Sequence, residues 1–336
     1  MKKTAIIFLA LLLLYTAYLW QDYHNQPTEE WRRSPEEARI ITIEQGSSLR
    51  EISSLLRSEG VIRSEYLFKG YVYLKGKQAD LQAGSYRFAR EVKVDEIAHK
   101  ISSGKVADEQ ITIPEGFTLE QIAHRVSEHL PIEAEEFLDT IENNDWNREY
   151  LPDRENVEWK LEGYLYPSTY NVHYNISPED LITIMLNRFE NEWLEKLRQS
   201  YLQNENDLTV NELVTIASMV EREAKLIEEK PLIAGVIYNR LENEMKLQID
   251  ASVQYALPER KERLLYRDLE IESDYNTYLN FGLPPGPIAN PGGNSLQAVL
   301  EPEESDYLFY FARPDGSHVF TESYQEHLRQ QRILTD

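Results

Sequence analysis

Residues 111–122 read Ile111-Thr112-Ile113-Pro114-Glu115-Gly116-Phe117-Thr118-Leu119-Glu120-Gln121-Ile122. The alternation up to Ile113 predicts a strand, whose successive side chains point to opposite faces. Pro114 and Gly116 predict the turn that ends it. Thr118 and Gln121 then stand at capping-box spacing, the start of a helix. The same order occurs earlier in Ile41-Thr42-Ile43-Glu44-Gln45-Gly46-Ser47-Ser48-Leu49-Arg50-Glu51-Ile52, with Ser48 and Glu51 at the capping positions. Between the copies, Leu81–Phe88 reads as a short strand after a turn, and Val94–Ile101 as a helix closing at Gly104. The pattern argues an α+β chain: a small α+β module over 39–108, then a larger mixed α+β domain over 109–336. The small module is either a spacer or a glycan-binding unit.

Ahead of the module, residues 1–3 (Met1-Lys2-Lys3) precede Thr4–Trp20, TAIIFLALLLLYTAYLW, an uncharged and mostly aliphatic run. It is near the ~20 apolar residues of a membrane helix. Lys2 and Lys3 favour a cytoplasmic N-terminus, and Tyr15, Tyr18 and Trp20 suit the far interface. A cleaved signal peptide is the competing reading. No small-x-small site follows the run, so an uncleaved anchor is expected, and with no Cys a lipoprotein is ruled out. Residues 21–38 are polar with two prolines and read as a tether, with order expected from about Arg39.

The chain has 336 residues and a formal net charge of −23, from 58 acidic and 35 basic side chains. That balance argues against nucleic-acid binding, which needs clustered Lys and Arg. With no cysteine, disulfides, thiolate nucleophiles and Cys-ligated zinc are excluded. The seven histidines show no metal spacing, and neither a GxSxG elbow nor a P-loop occurs. No cofactor or metal is expected.

Helices are predicted at Leu119–His129, Ala134–Glu142, Pro178–Gln199, Val210–Glu229 and Pro231–Asn243. The fourth is the most informative. Thr209 and Glu212 form a capping box, and Leu213, Ile216, Val220 and Ala224 a buried stripe. Val214, Ala217, Ser218 and Glu221 form the neighbouring stripe, so Glu221 projects beside small side chains at the border of an apolar face. Partial desolvation there favours a protonated carboxyl, as a general acid requires. Glu223 points elsewhere. The competing reading, a solvated helix surface, is the commoner fate of helical glutamates.

Three further stretches carry polar or aromatic groups. Leu161–Tyr170 (LEGYLYPSTY) offers Glu162, Tyr164, Tyr166, Thr169 and Tyr170, rings and hydroxyls that suit sugars or, equally, a loop with core tyrosines. Asn239-Arg240 and Gln248-Ile249-Asp250 supply mixed donors and acceptors. Asp274–Gly293 combines Asn276, Thr277 and Tyr278 with a Pro/Gly-pinned backbone.

Taken in order, these pieces resemble the endolytic murein transglycosylases, the YceG-like family. The resemblance is carried by Ala83–Tyr86, Ile111–Gly116, Leu161–Tyr170, Ile216–Glu223 (IASMVERE), Tyr238–Leu241, Leu247–Asp250, Tyr275–Tyr278 and Gly282–Gly292. It implies a single-pass anchor, a LysM-like module and an extracytoplasmic catalytic domain that cuts nascent glycan strands between N-acetylmuramic acid and N-acetylglucosamine. The family's catalytic glutamate falls on Glu221. By the resemblance, Glu162, Glu223, Asn239, Gln248, Asp250 and Asn276 line the cleft; Tyr166, Thr169, Tyr170, Ser218, Arg240 and Tyr278 complete the expected substrate-binding set. The expected partners are peptidoglycan strands, the membrane through Thr4–Trp20, and peptidoglycan synthases. Two other readings stay open: a hydrolase with Glu162 or Asp250 as second carboxylate, and a non-catalytic peptidoglycan-binding scaffold.

Overall fold

The computed structural model describes residues 16, 27–33, 37–152, 157–203 and 208–335. Apart from residue 16, the Thr4–Trp20 run lies outside them. No helix among the described residues is long and apolar enough to cross a membrane. The chain is mixed α+β and divides into two units, one of residues up to Glu109 plus Asn171–Ile176, the other of Gln110–Tyr170 and Ser177–Asp336.

In the first unit, α1 (Glu29–Arg33) precedes β1 (Ala38–Ile43). Then come α2 (Leu49–Ser58), α3 (Glu65–Leu74), β2 (Gly84–Ala89) and α4 (Val94–Ser102). The strands pair antiparallel from Ala38↔Ala89 to Ile43↔Gly84. The Ser48–Glu51 capping box forms as the sequence predicts. Ile41, Ile52, Leu56, Phe68, Val72, Tyr86, Phe88 and Ile97 fill the core. The tether expectation fails over 27–33. Trp31 is fully buried in that core, the Thr28 amide donates to Gly60 O at 2.9 Å, and Arg63 Nε donates to Pro27 O at 3.1 Å. One indole removes enough apolar surface from water to hold a short segment down.

β3 (Asp108–Thr112) pairs with β4 (Thr169–His173). The second unit opens with α5 (Leu119–His129) and α6 (Ala134–Asn143). After β4 come α7 (Pro178–Phe189) and α8 (Glu195–Gln203), separated by a π turn at Glu190–Leu194 that breaks the predicted single helix. At its centre is α9 (Val210–Glu223), buried at every residue from Leu213 to Val220. Beyond it follow α10 (Lys230–Glu242), α11 (Asp250–Ala256), α12 (Gly293–Leu300), the β5–β6 hairpin (Phe309–Ala312, His318–Thr321) and α13 (Tyr324–Thr335).

The predicted helix over 210–229 ends early. Ala224 turns extended, with φ −79° and ψ 123°, and a short 3-10 turn at Ile227–Glu229 redirects the chain into α10. The break has a structural return: it brings Lys230 back beside the last turn of α9.

Candidate active site

Glu221 stands in the last turn of α9, its side chain only 9% exposed. Three donors converge on its Oε2: Lys230 Nζ at 3.1 Å, the Gly292 amide at 3.0 Å and Ser295 Oγ at 2.6 Å. Gly292 is the N-cap of α12 and Ser295 lies in its first turn. The carboxylate therefore caps α12 from outside, where free amides and the helix dipole favour negative charge. Lys230 is itself buried, 5% exposed, and the pair would be unstable without those extra hydrogen bonds. Oε1 receives no hydrogen bond from the described residues. When Glu221 is protonated, the proton sits on Oε1, because Oε2 is already accepting from three donors.

The loops around this carboxylate are tied by buried polar groups. Asn290 is fully buried; its Nδ2 donates to Phe117 O and Glu162 Oε1, both at 2.9 Å, and its Oδ1 accepts from the Leu165 amide at 2.9 Å. The Gly116 amide donates to Asn290 O at 2.8 Å. Arg222 reaches the other side of the same turn, donating to Gly116 O at 3.0 Å. Ser218 accepts from the Ile288 amide at 3.0 Å. The strand–turn–helix at 111–122 and the segment before α12 are thus held on α9, which aims Gly292 and Ser295 at Glu221.

Glu115 joins the same place. A Cβ built on Gly292 would lie 2.0 Å from Glu115 Cδ, so that carboxyl occupies the space a side chain at 292 would need. Burial, then the charge of Glu221, push the Glu115 carboxyl up; the Lys230 ammonium and the Gly293 amide oppose the rise. Tyr166 and Trp193 approach the start of α12, with Tyr166 Oη and Trp193 Cζ2 each 3.2 Å from a Cβ built on Gly293. Among the described residues no three His, Cys, Asp or Glu converge as a metal-ligand set.

The chain matches the sequence profile of the YceG-like family over residues 41–333. It belongs to that family. An endolytic murein transglycosylase of Bacillus subtilis is 38% identical over 306 residues, which cover 85% of this chain and 82% of that protein. One from Streptococcus pneumoniae is 30% identical across 97% of this chain but only 64% of its own length. The crystal structure of a YceG-like protein from Listeria monocytogenes superposes with a TM-score of 0.62 at 35% identity, covering 88% of this chain and 99% of that one.

In this YceG-like chain the other residues singled out by sequence fall into distinct roles. The Tyr166 hydroxyl approaches Gly293 at the start of α12, and the Tyr170 hydroxyl donates to the Tyr166 carbonyl. Glu162 is buried and accepts from the Leu119 amide at 3.2 Å, Tyr255 at 3.3 Å and Asn290; burial pushes its carboxyl up to about 8. Glu223 turns away to accept from Tyr310 at 3.1 Å, and burial raises it too. Asp250 accepts from Tyr278 at 2.6 Å. Asn239 clamps Ser305 O and Tyr307 O, and Arg240 clamps Leu308 O and Leu247 O. Asn276 clamps Leu269 O and Ile271 O. Ser218 holds Ile288, and exposed Thr169 pairs with Thr112 at 2.9 Å. Gln248 is exposed in the left-handed region at φ 52°, a costly backbone for a non-glycine residue.

Sequence reasoning passed over Glu115, Lys230, Gly292 and Ser295 as site residues. Glu115 did carry a signal: a carboxylate set directly before a turn glycine, at the mouth of a capped helix.

Proposed function

We propose that this chain is a lytic transglycosylase that cleaves nascent peptidoglycan glycan strands between N-acetylmuramic acid and N-acetylglucosamine, with Glu221 as general acid and then base. The observation that carries this is the one-sided hydrogen bonding of Glu221. Oε2 is fixed by three donors, and Oε1 is left to exchange a proton with substrate. Family membership supplies the reaction class, since the relatives named above are endolytic murein transglycosylases.

Glu221 Oε1 gives its proton to the glycosidic oxygen as the anomeric C–O bond breaks. The muramyl 6-hydroxyl oxygen then bonds to the anomeric carbon, and its proton passes to Oε1. The product carries a 1,6-anhydro end and the enzyme regains its proton. Attack from within the same sugar has a high effective molarity, so no activated water is needed. Lys230, Gly292 and Ser295 steady the carboxylate between the two transfers. A 160 Å³ pocket beside Arg222, lined also by Gln121, Trp159, Glu162 and Tyr255, offers an aromatic face and polar groups of the kind a neighbouring sugar or its acyl substituents would use. The β1–α2–α3–β2 order of the first unit supports a LysM-like module, and the Thr4–Trp20 run supports a membrane anchor that holds the enzyme on the wall side.

The hydrolase alternative needs a second carboxylate near the first. Glu162 and Asp250 are each engaged with other partners; Glu115 is the carboxyl that shares the Glu221 site. Digestion of purified glycan strands followed by mass spectrometry decides between the mechanisms, because hydrolytic products carry one more water than anhydro products. Glu221→Gln is expected to abolish cutting. Full cutting by that variant removes Glu221 from the mechanism; a wild type that binds glycan and never cuts it makes the chain a scaffold.

A further inference from the structure

Trp159 stands apart from the other tryptophans among the described residues. Trp31, Trp146 and Trp193 are buried, while Trp159 is half-buried. Its indole has no ring partner and its Nε1 no acceptor among the described residues. Its backbone is tied down, the Glu162 amide donating to Trp159 O at 3.2 Å. A wide apolar ring with an unused donor, held at its base, suits a ligand better than a core. Two cavities meet at this residue. The 160 Å³ pocket beside Arg222 has Glu158 and Trp159 in its wall. A second cavity, of 490 Å³, has the same two residues in its wall, and its size is that of a small-ligand site. The first pocket adjoins the catalytic carboxyl. A Cβ built on Gly116 would lie 3.4 Å from Glu221 Cγ and 3.7 Å from Arg222 Nη1, so acid and pocket wall are within two atomic contacts. The second cavity takes Asn143, Asn144 and Asp145 from the end of α6 and Lys160 from the segment after Trp159. The Trp146 Nε1 bond to Ile141 O at 3.0 Å pins that helix end. Glu142, Asp145 and Glu158 outnumber Lys160 in its wall, which disfavours an anion such as a stem-peptide carboxylate. Amides, carboxylates and an ammonium beside an indole suit the hydroxyl and N-acetyl groups of a neutral sugar.

We infer that Trp159 is a sugar-stacking residue joining two successive subsites: one sugar lies in the pocket beside Arg222, and the indole carries the strand on into the 490 Å³ cavity, which holds a sugar remote from the cut. The inference rests on Glu221 being the acid and base, which fixes where the strand is cut. It adds a reason for the enzyme to prefer long strands. No bond is made or broken at the far cavity. A sugar bound there holds the strand in register and favours substrates that reach it. A strand too short to reach Trp159 forgoes that binding.

The test measures kcat and KM of the purified full chain on glycan strands sorted by length, as wild type, Trp159→Ala, Trp159→Phe and Asn144→Tyr. Trp159→Ala is expected to lose about 10-fold in kcat/KM on long strands, through KM, with the loss shrinking as strands shorten. Trp159→Phe keeps a ring and is expected to recover most of the loss. Asn144 is exposed, and a tyrosine there fills the far cavity, so Asn144→Tyr is expected to raise KM for long strands most. A Trp159→Ala loss of equal size at every length overturns the inference, as do wild-type kinetics on long strands or no recovery with phenylalanine. The loss is expected to persist on strands stripped of their peptides by an amidase; a loss that disappears there belongs to the stem peptide and overturns the sugar assignment. If Trp159→Ala does not fold, Asn144→Tyr decides, and a wild-type KM for long strands overturns the inference. Binding of long strands by Glu221→Gln, with and without Trp159→Ala, is expected to differ by about 10-fold; equal binding also overturns the inference. Cutting by Glu221→Gln instead removes the catalytic assignment itself, so the two failures are distinguishable.

Discussion

Gly292→Ala should separate stability from activity. The backbone at Gly292 is ordinary extended chain, φ −80° and ψ 173°, so alanine meets no conformational penalty there. Its Cβ would lie 2.0 Å from Glu115 Cδ and Oε1 and 2.5 Å from Oε2. To reach ordinary contact of about 3.5 Å, the carboxyl must retreat by about 1.5 Å. It can do so, because it is the far end of a flexible side chain rather than backbone. The steric cost is then about 1 kcal/mol or a little more, offset in part by the roughly 0.4–1 kcal/mol that Gly→Ala gains by restricting the unfolded chain. The net change in unfolding free energy should stay within about 1 kcal/mol. Activity should fare worse. A displacement of about 1 Å in a catalytic arrangement costs up to about 100-fold, so cleavage near pH 7 should fall by about 10- to 100-fold. Urea unfolding and single-turnover cleavage of defined glycan strands, run on the same preparation, measure both. A variant that cuts at the wild-type rate refutes the role of the Glu115–Gly292 contact. One that loses several kcal/mol of stability refutes the claim that Glu115 can yield.

Two further outcomes concern the fold. Trp31→Ala should destabilise the first unit by about 3–5 kcal/mol, the usual cost of removing a buried indole; an unchanged thermal transition would return residues 27–33 to the status of a tether. Glu162 is raised to about 8 in the folded chain against 4.5 for a free carboxyl. The unfolded chain therefore releases this proton first as pH rises. The contribution of Glu162 to stability is complete below pH 4.5 and is lost progressively towards pH 8. Glu162→Gln cannot titrate, so its stability should fall less than that of wild type between pH 5 and pH 8 in urea unfolding; parallel losses would contradict the burial of a protonated Glu162.

What the sequence reveals and what it hides follow the range of the forces involved. The capping boxes at Ser48–Glu51, Thr118–Gln121 and Thr209–Glu212 all form, because each is settled within a single turn. The end of α9 at Glu223 was not legible. Neither Gly nor Pro marks Ala224, where the backbone turns extended, and the groups that meet the last turn come from α10 and the start of α12. Trp31 misled for the opposite reason: a single apolar residue among charges has no periodicity to read. Glu221 is singled out by family resemblance, while the donors that meet it, Lys230, Gly292 and Ser295, lie further along the chain and come together only in the folded protein. Asn239, Arg240 and Asn276 are expected in the substrate-binding set, yet in the fold their side chains donate to backbone carbonyls of neighbouring loops.

The close seat of Glu115 on Gly292 ties two distant positions into a single unit of variation. A side chain at 292 leaves the carboxyl at 115 undisplaced only where the residue at 115 is shorter, and a shorter residue at 115 leaves a gap that a methyl group at 292 would fill. Substitutions at the two sites should therefore not add: Gly292→Ala, damaging alone, should be largely rescued by Glu115→Asp. Among the chain's relatives, a residue other than glycine at this point should travel with the loss or shortening of the glutamate in the strand–turn–helix.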